Sequence, residues 1–366
     1  MCSLALFPPP PPRGHVTLCE RNNELIAVDG ALNLYRWLIS MRTSFHPHYL
    51  VRRFTSCMLI VHNSPLRAFA WHPHTAKLAL ALLDDSIRIF YVKSRTVPVL
   101  RHRCQRGVAD LAWRPMAAAG LAVACRGAVV IWQVEPSSLS TRPSSCCVQV
   151  LNQPGPVTSL AWNPHGEMLI AASPASSSLK VWEVATERCI TLPVHGAGGI
   201  ANLSWSPDGA HLLVATLSPV IRSDRRQWKT ERPPTYLCAC WSPDGSILLF
   251  AVQGEHVIYS LRFTTGAGMQ QSAQNKLSIV GGEVQMMTWD STGERLAVLL
   301  RGENNIAIFK TRTHPLFELL PCGFVQGEEG TVPQLMSFFP TFGKGALLTV
   351  VSLQSAYYLA LKNDLS

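Results

Sequence analysis

Two His-Pro-His triplets, His46-Pro-His48 and His72-Pro-His74, offer the side chains in this chain that most resemble paired metal ligands. A zinc site needs three or four convergent ligands, usually oriented by a second layer of hydrogen bonds. Here each pair flanks a proline in a turn or linker, with no cysteine or carboxylate at ligand spacing, so no metal is expected. The sequence carries no dinucleotide fingerprint, no phosphate loop, no nucleophile elbow and no metalloprotease helix. Ser, His and Asp are plentiful but in no arrangement that activates a nucleophile. No catalytic residue and no cofactor is expected, and an enzyme is the least supported class.

The eleven cysteines suggest a disulfide framework only by their number. Most lie in strand-like runs, such as Cys125 in LAVAC and Cys238 and Cys240 in LCACW, where a thiol behaves as a small buried hydrophobe. The count is odd and there is no C-x-x-C. The apolar opening CSLALF meets five prolines, too soon for a signal-peptide core. A reducing compartment, cytosol or nucleus, is the expectation. No apolar run approaches the roughly 18 residues that a membrane span requires.

The formal charge of +9 is unevenly spread. Arg88, Lys93, Arg95, Arg101, Arg103, Arg106 and Arg114 share their stretch with Asp110 alone, and a second cluster comprises Arg222, Arg225, Arg226, Lys229 and Arg232. Such clusters suit an acidic protein partner, anionic lipid or nucleic acid, although solvated strand edges are commonly basic too. RNA binding would call for aromatic platforms beside the cations, and only Trp228 offers one, so nucleic acid is the weaker expectation.

The elements that must carry these residues come from a repeat. Trp71, Trp113, Trp162, Trp205, Trp241, Trp289 and Phe338 each end a short apolar run and precede a turn, at intervals of about 45 residues. That is the period of WD-repeat blades, and seven of them predict an all-β, seven-bladed β-propeller. The first blade reads as RAFAW, a turn, KLALALL, a DD turn and SIRIFYV. WSPDG recurs at Trp205–Gly209 and Trp241–Gly245, where Pro presets φ, Asp bonds backbone N–H groups and Gly accepts the left-handed geometry. The third strand of the fourth blade, VIRSDRRQW, is degenerate.

WD blades often carry a His–Asp–Ser/Thr–Trp hydrogen-bond network. The first blade keeps His62, Asp84 and Ser86 but has Phe90 in place of the tryptophan. Elsewhere the expected histidine is Cys104, Gln153, Gly196 or Arg232. These positions are structural, not catalytic.

Domain boundaries follow. Residues 1–56 form an irregular N-terminal extension: a proline-rich start, one strand or a short hairpin around GHVTLCERNNELIAV, and a short helix over NLYRWLISMRTSF. Residues 57–361 form the propeller and 362–366 a tail. The last blade lacks a fourth strand, so CMLIVH (57–62) is expected to supply it and close the ring.

The segments MCSLALFPPPPPRGHVTL, FAWHPHTAKLALALLDDSIRIF, LSTRPSSCCVQVL, GPVTSLAW, STGERLAVLL and PLFELLPCG resemble the aladin family of WD-repeat nucleoporins. The resemblance spans the first two dozen residues and nearly everything from about 66 to 348. It implies a peripheral scaffold of the nuclear pore complex, held at the nuclear envelope by an integral pore-membrane nucleoporin. It further implies support of nuclear import and a link to the mitotic spindle. Two departures from the family pattern, the short and dissimilar residues 27–57 and the stop at Ser366 where relatives continue into a proline-rich tail, read as a shortened isoform, a divergent paralogue or an imperfect gene model. The alternatives are a generic propeller adaptor, such as a ubiquitin-ligase substrate receptor, or an RNA-binding propeller. The first is disfavoured because WQVE, WEVA and FYVK lack the Trp-Asp-x-Arg signature of such receptors.

Overall fold

The computed structural model describes residues 18–21, 24–27 and, between 66 and 361, all but 92–96, 118, 135–147, 195–197, 217–219, 224–225, 230–236, 264–277, 280–281, 314–316, 327–331, 343–345 and 353–355. Its regular elements are β-strands in seven sheets. By contact the chain divides into two compact units.

The unit Asn63–Leu237 holds four sheets, each of four strands in chain order. The first is Leu66–Trp71, Lys77–Leu82, Ile87–Tyr91 and Val99–Leu100, and the second is Asp110–Trp113, Gly120–Ala124, Ala128–Gln133 and Val148–Asn152. The third is Ser159–Trp162, Met168–Ala172, Ser178–Glu183 and Arg188–Pro193, and the fourth is Ile200–Trp205, Leu212–Thr216, Val220–Ser223 and Arg226–Lys229. The stretch VIRSDRRQW is therefore a hairpin, the last two strands of the fourth sheet.

The other unit joins Met1–His62 to Cys238–Ser366. Its fifth sheet is Leu237–Trp241, Ile247–Val252, Val257–Arg262 and Ser278–Ile279, while the sixth runs Val284–Trp289, Arg295–Leu300, Asn305–Arg312 and Glu318–Gln326. The seventh has three described strands, Pro333–Phe338, Ala346–Ser352 and Ala356–Leu361. Residues 57–62, the expected fourth strand, lie outside the described residues, as do the expected helix of the extension and the 362–366 tail. The strands Leu18–Arg21 and Glu24–Ala27 form a hairpin that continues the sixth sheet, with Cys19 opposite Gly323.

The second strand of a sheet is covered on both faces, and its sequence shows why. Lys77–Leu82, Gly120–Ala124 and Ile247–Val252 are buried at every position. Alternate residues serve different neighbours: Leu121 and Val123 pack with Ala79, Ile87 and Ile89 of the first sheet, whereas Ala122 and Ala124 pack with Leu160 and Leu169 of the third. The same division links the third to the fourth sheet through Ile170, Ala172, Ile200 and Val214. In the other unit Leu299 and Ile306 of the sixth sheet pack with Leu348 and Val350 of the seventh. A sheet of this kind cannot bury its faces alone, so stacking supplies the core.

Candidate functional site

The seven aromatic anchors occupy one equivalent place. Trp71, Trp113, Trp162, Trp205, Trp241, Trp289 and Phe338 are each the last residue of a sheet's first strand. That strand is terminal in its sheet, so one edge of its backbone is unpaired. The amide one residue after the anchor bonds to the second strand, as in His72 to Lys77 at 2.9 Å and Asn163 to Met168 at 2.9 Å. Alternation then turns the N–H two residues before the anchor toward the open edge. A donor left there without water or partner would cost about 1–3 kcal/mol.

A neighbouring sheet supplies the partner by a repeated rule. The side chain three residues before one anchor accepts the N–H two residues before the next anchor. Asp110 accepts Leu160 N–H at 2.9 Å, Ser159 accepts Leu203 at 3.1 Å, Cys238 accepts Met287 at 3.0 Å, and the Met286 thioether receives Met336 at 3.3 Å. The first sheet offers only Ala68 at this place, and there Asp110 turns back to its own neighbour, Leu111 N–H, at 2.8 Å. Register shifts lie beside this position in several first strands, between Leu66 and Ala68 or Ile200 and Asn202 for example.

The anchors add a second link in the same direction. Trp113 Nε1 donates to Ala70 O at 3.0 Å, and Trp162 Nε1 donates to Ala112 O at 3.1 Å. Trp205 Nε1, at the corresponding place, is buried without a hydrogen-bond partner. The residue after the anchor then caps the turn: Asn163, Ser206, Ser242 and Asp290 accept the N–H five residues on at 2.9–3.0 Å. His72 holds this position in the first sheet. Its Nδ1 accepts His74 and Thr75 N–H, both at 3.1 Å, and its Nε2 lies 3.3 Å from Ala117 O. Both ring nitrogens are thereby committed, and His74 brings no metal pair with it.

Of the proposed network residues in the first sheet, Asp84 accepts both Ser86 N–H at 3.0 Å and its hydroxyl at 2.6 Å, and pairs with Arg101. His62 lies outside the described residues. Sequence reasoning passed over two neighbours. Asp85 accepts Gly107 and Val108 N–H at 3.0 and 2.9 Å, tying the first sheet to the second. Gln105 Oε1 takes the Trp132 indole N–H at 3.0 Å, and Gln153 takes that of Trp182 at 3.4 Å. Glutamine is thus the acceptor for the third-strand tryptophan in the second and third sheets. Only the buried Gln at a loop-to-strand junction could have signalled this.

The two basic clusters fare differently. Arg222 pairs with Gln227, Ser223 with Arg226, and Val220 with Lys229 in the backbone register of the last two strands of the fourth sheet. Arg225 and Arg232 lie outside the described residues. Of the first cluster, Arg88 lies in a strand, Lys93 and Arg95 lie outside the described residues, Arg101, Arg103 and Arg106 are exposed between the first and second sheets, and exposed Arg126 donates its amide to Arg106 O at 2.8 Å.

Residues 49–359 match the family described as the aladin seven-bladed propeller. This chain belongs to that family. Aladin of Arabidopsis thaliana is 28% identical over 330 residues, covering 78% of this chain and 73% of the plant protein. WD repeat and HMG-box DNA-binding protein 1 of Xenopus laevis is 27% identical over 146 residues, which is 37% of this chain and only 12% of that protein. The propeller domain of Myceliophteria thermophila Cps50 (Swd1) superposes with a TM-score of 0.63 at 14% identity, covering 82% of this chain and 98% of that one. A chain of the mitotic checkpoint complex does so with a TM-score of 0.63 at 16% identity, covering 81% and 90%. These structures establish the β-propeller fold, and the seven sheets are the blades of an aladin-type propeller. No helix among the described residues is long and apolar enough to cross a membrane.

Two groups at the blade junctions of this aladin-family chain titrate in opposite senses. Burial pushes His72 down to about 4, so it is neutral in the folded protein, and it charges more readily once unfolded. Its contribution is present above about pH 6.5 and is lost as pH falls toward 4. Burial pushes Asp110 up to about 6, against the lowering effect of the Leu160 and Leu111 amides. The folded state then holds a proton that the unfolded state releases, so this contribution is present in acid and is lost as pH rises through 6. Part of Asp110 remains accessible, which moderates its effect. Asp110→Asn keeps an acceptor for Leu160 and removes the charge. It should stabilise by about 1 kcal/mol at pH 7.5 and steepen the loss of stability between pH 6.5 and 4. Denaturant midpoints across that range measure both.

Thiol reactivity should be equally uneven. Burial raises Cys125 and Cys238 to about 12, while Cys189 is exposed on the outer strand of the third blade. Iodoacetamide at pH 8, read by peptide mass mapping, should modify Cys189 and leave Cys125 and Cys238 unmodified until the protein unfolds.

Proposed function

We propose that this chain is a non-enzymatic scaffold of the nuclear pore complex. It binds other nucleoporins at the nuclear envelope, among them an integral pore-membrane nucleoporin, and supports nuclear import, with a further role at the spindle. The family match over residues 49–359 carries this reading. The geometry supports it chemically: the polar groups that look reactive in sequence, His72, Asp84, Asp85, Asp110 and Cys238, are committed to backbone amides at turns and blade junctions. What is left for function is surface, and an acidic protein partner is the complement of a chain with a formal charge of +9. The cluster Arg222, Arg225, Arg226, Lys229 and Arg232 is a proposed partner contact, of which Arg222, Arg226 and Lys229 lie on the last two strands of the fourth blade.

The test is imaging of the tagged chain at the nuclear rim, paired with affinity purification. Rim localisation with recovery of a pore-membrane nucleoporin supports the scaffold reading. Diffuse signal with no nucleoporin recovered rejects it and leaves the fold standing.

A further inference from the structure

We infer that the loops joining the first and second blades form a docking surface for an acidic, leucine-bearing protein segment. The surface is assembled from places far apart in sequence. Asp85, in the turn after the second strand of the first blade, draws in the backbone of Gly107 and Val108. The Arg126 amide bonds Arg106 O at 2.8 Å, which lays the turn of the second blade beside the same loop. These bonds set exposed Arg126 beside exposed Arg106, with exposed Arg103 on the same loop.

The local charge does not cancel. Asp84 is consumed by Ser86 and Arg101, and Asp85 by two amides, with Arg67 at 3.9 Å. Arg103, Arg106 and Arg126 make no ion pair among the described residues. Three guanidiniums without carboxylates are a surface that selects anions.

A single apolar feature decides between kinds of anion. Leu83 is 51% exposed beside Asp84, in the turn that carries this network. Sequence-tolerant binding of single-stranded nucleic acid needs aromatic faces for the bases. The large exposed hydrophobics among the described residues are Leu83, Met116, Met168, Ile190, Leu192 and Val332, none of them aromatic. An exposed aliphatic side chain on the turn that holds the arginine-bearing loop fits an acidic peptide with a leucine among its carboxylates. This deepens the scaffold reading by naming where a partner would sit, but binding at the surface can be tested without the pore.

The experiment is fluorescence anisotropy on the full chain, with a labelled Asp/Glu-rich peptide containing leucine and, in parallel, labelled oligouridine. The triple variant Arg103→Ser, Arg106→Ser, Arg126→Ser should melt as the parent does and bind the peptide about ten-fold more weakly at low salt. Leu83→Ser should weaken the peptide about three-fold. Peptide affinity unchanged in the triple variant overturns the surface. Oligouridine bound more tightly than the peptide overturns the partner class. Loss of rim localisation in the parent chain, with peptide binding intact, would remove the pore reading and leave this surface in place.

Discussion

Gly166→Ala is expected to lower stability by about 3 kcal/mol, among the largest effects available to a change of one methyl group. Two costs combine. Gly166 has φ +73°, a conformation that costs an L-residue about 1–2 kcal/mol. Its added Cβ would also fall on the Pro115 carbonyl oxygen of the preceding blade, far inside van der Waals contact, and a backbone atom cannot swing aside. Two other glycines separate these costs. Gly209 shares the turn position at φ +71°, but its Cβ would meet only the Pro164 ring at 3.3 Å. Gly254 has φ +79° and nothing within 4 Å. Alanine should therefore cost about 1–2 kcal/mol at 209 and about 1 kcal/mol at 254. Thermal unfolding of the three variants checks the order, and equal losses at all three would show that close approach between blades does not matter.

Gln105→Leu should be comparably damaging. The Gln105 side chain accepts from Trp132 at 3.0 Å and donates to Asp85 O at 2.5 Å and to Leu100 O at 3.2 Å. Leucine fills the volume but leaves the buried indole N–H without its acceptor and removes both donations to carbonyls, for a loss of about 3 kcal/mol. Trp132→Phe removes only the donor and should cost about 1–2 kcal/mol. If the hydrogen bonds are the cause, the double variant should lose less than the sum of the two, since both changes remove the same pair. Full additivity in a denaturant titration would assign the effect to packing instead.

The fold was readable because its signals are local. Each anchor sits at the end of a strand, and after four of the seven a glycine four residues on announces the turn: Gly166, Gly209, Gly245 and Gly293 all have φ between +71° and +76°. The cover on both faces of the second strands came from the structure, where Lys77–Leu82 and Ile247–Val252 are buried at every position. The candidate site was less legible. Reading histidine as the required acceptor placed Cys104 and Gln153 together as lost network positions, whereas Gln153 and the neighbouring Gln105 each hold a third-strand tryptophan. Asp84 was picked from its spacing, but the adjacent Asp85 joins two blades.

The amino-acid order by itself determined the number of repeats and where the turns after the anchors fall. These follow from backbone conformation and side-chain polarity over a few neighbouring residues. Tertiary structure alone decided that Asp110 meets Leu160, that Cys238 meets Met287, and that Arg126 joins Arg106. Such meetings depend on the stagger of one sheet against the next. Packing of whole faces fixes that stagger, and no residue records it in its own position along the chain.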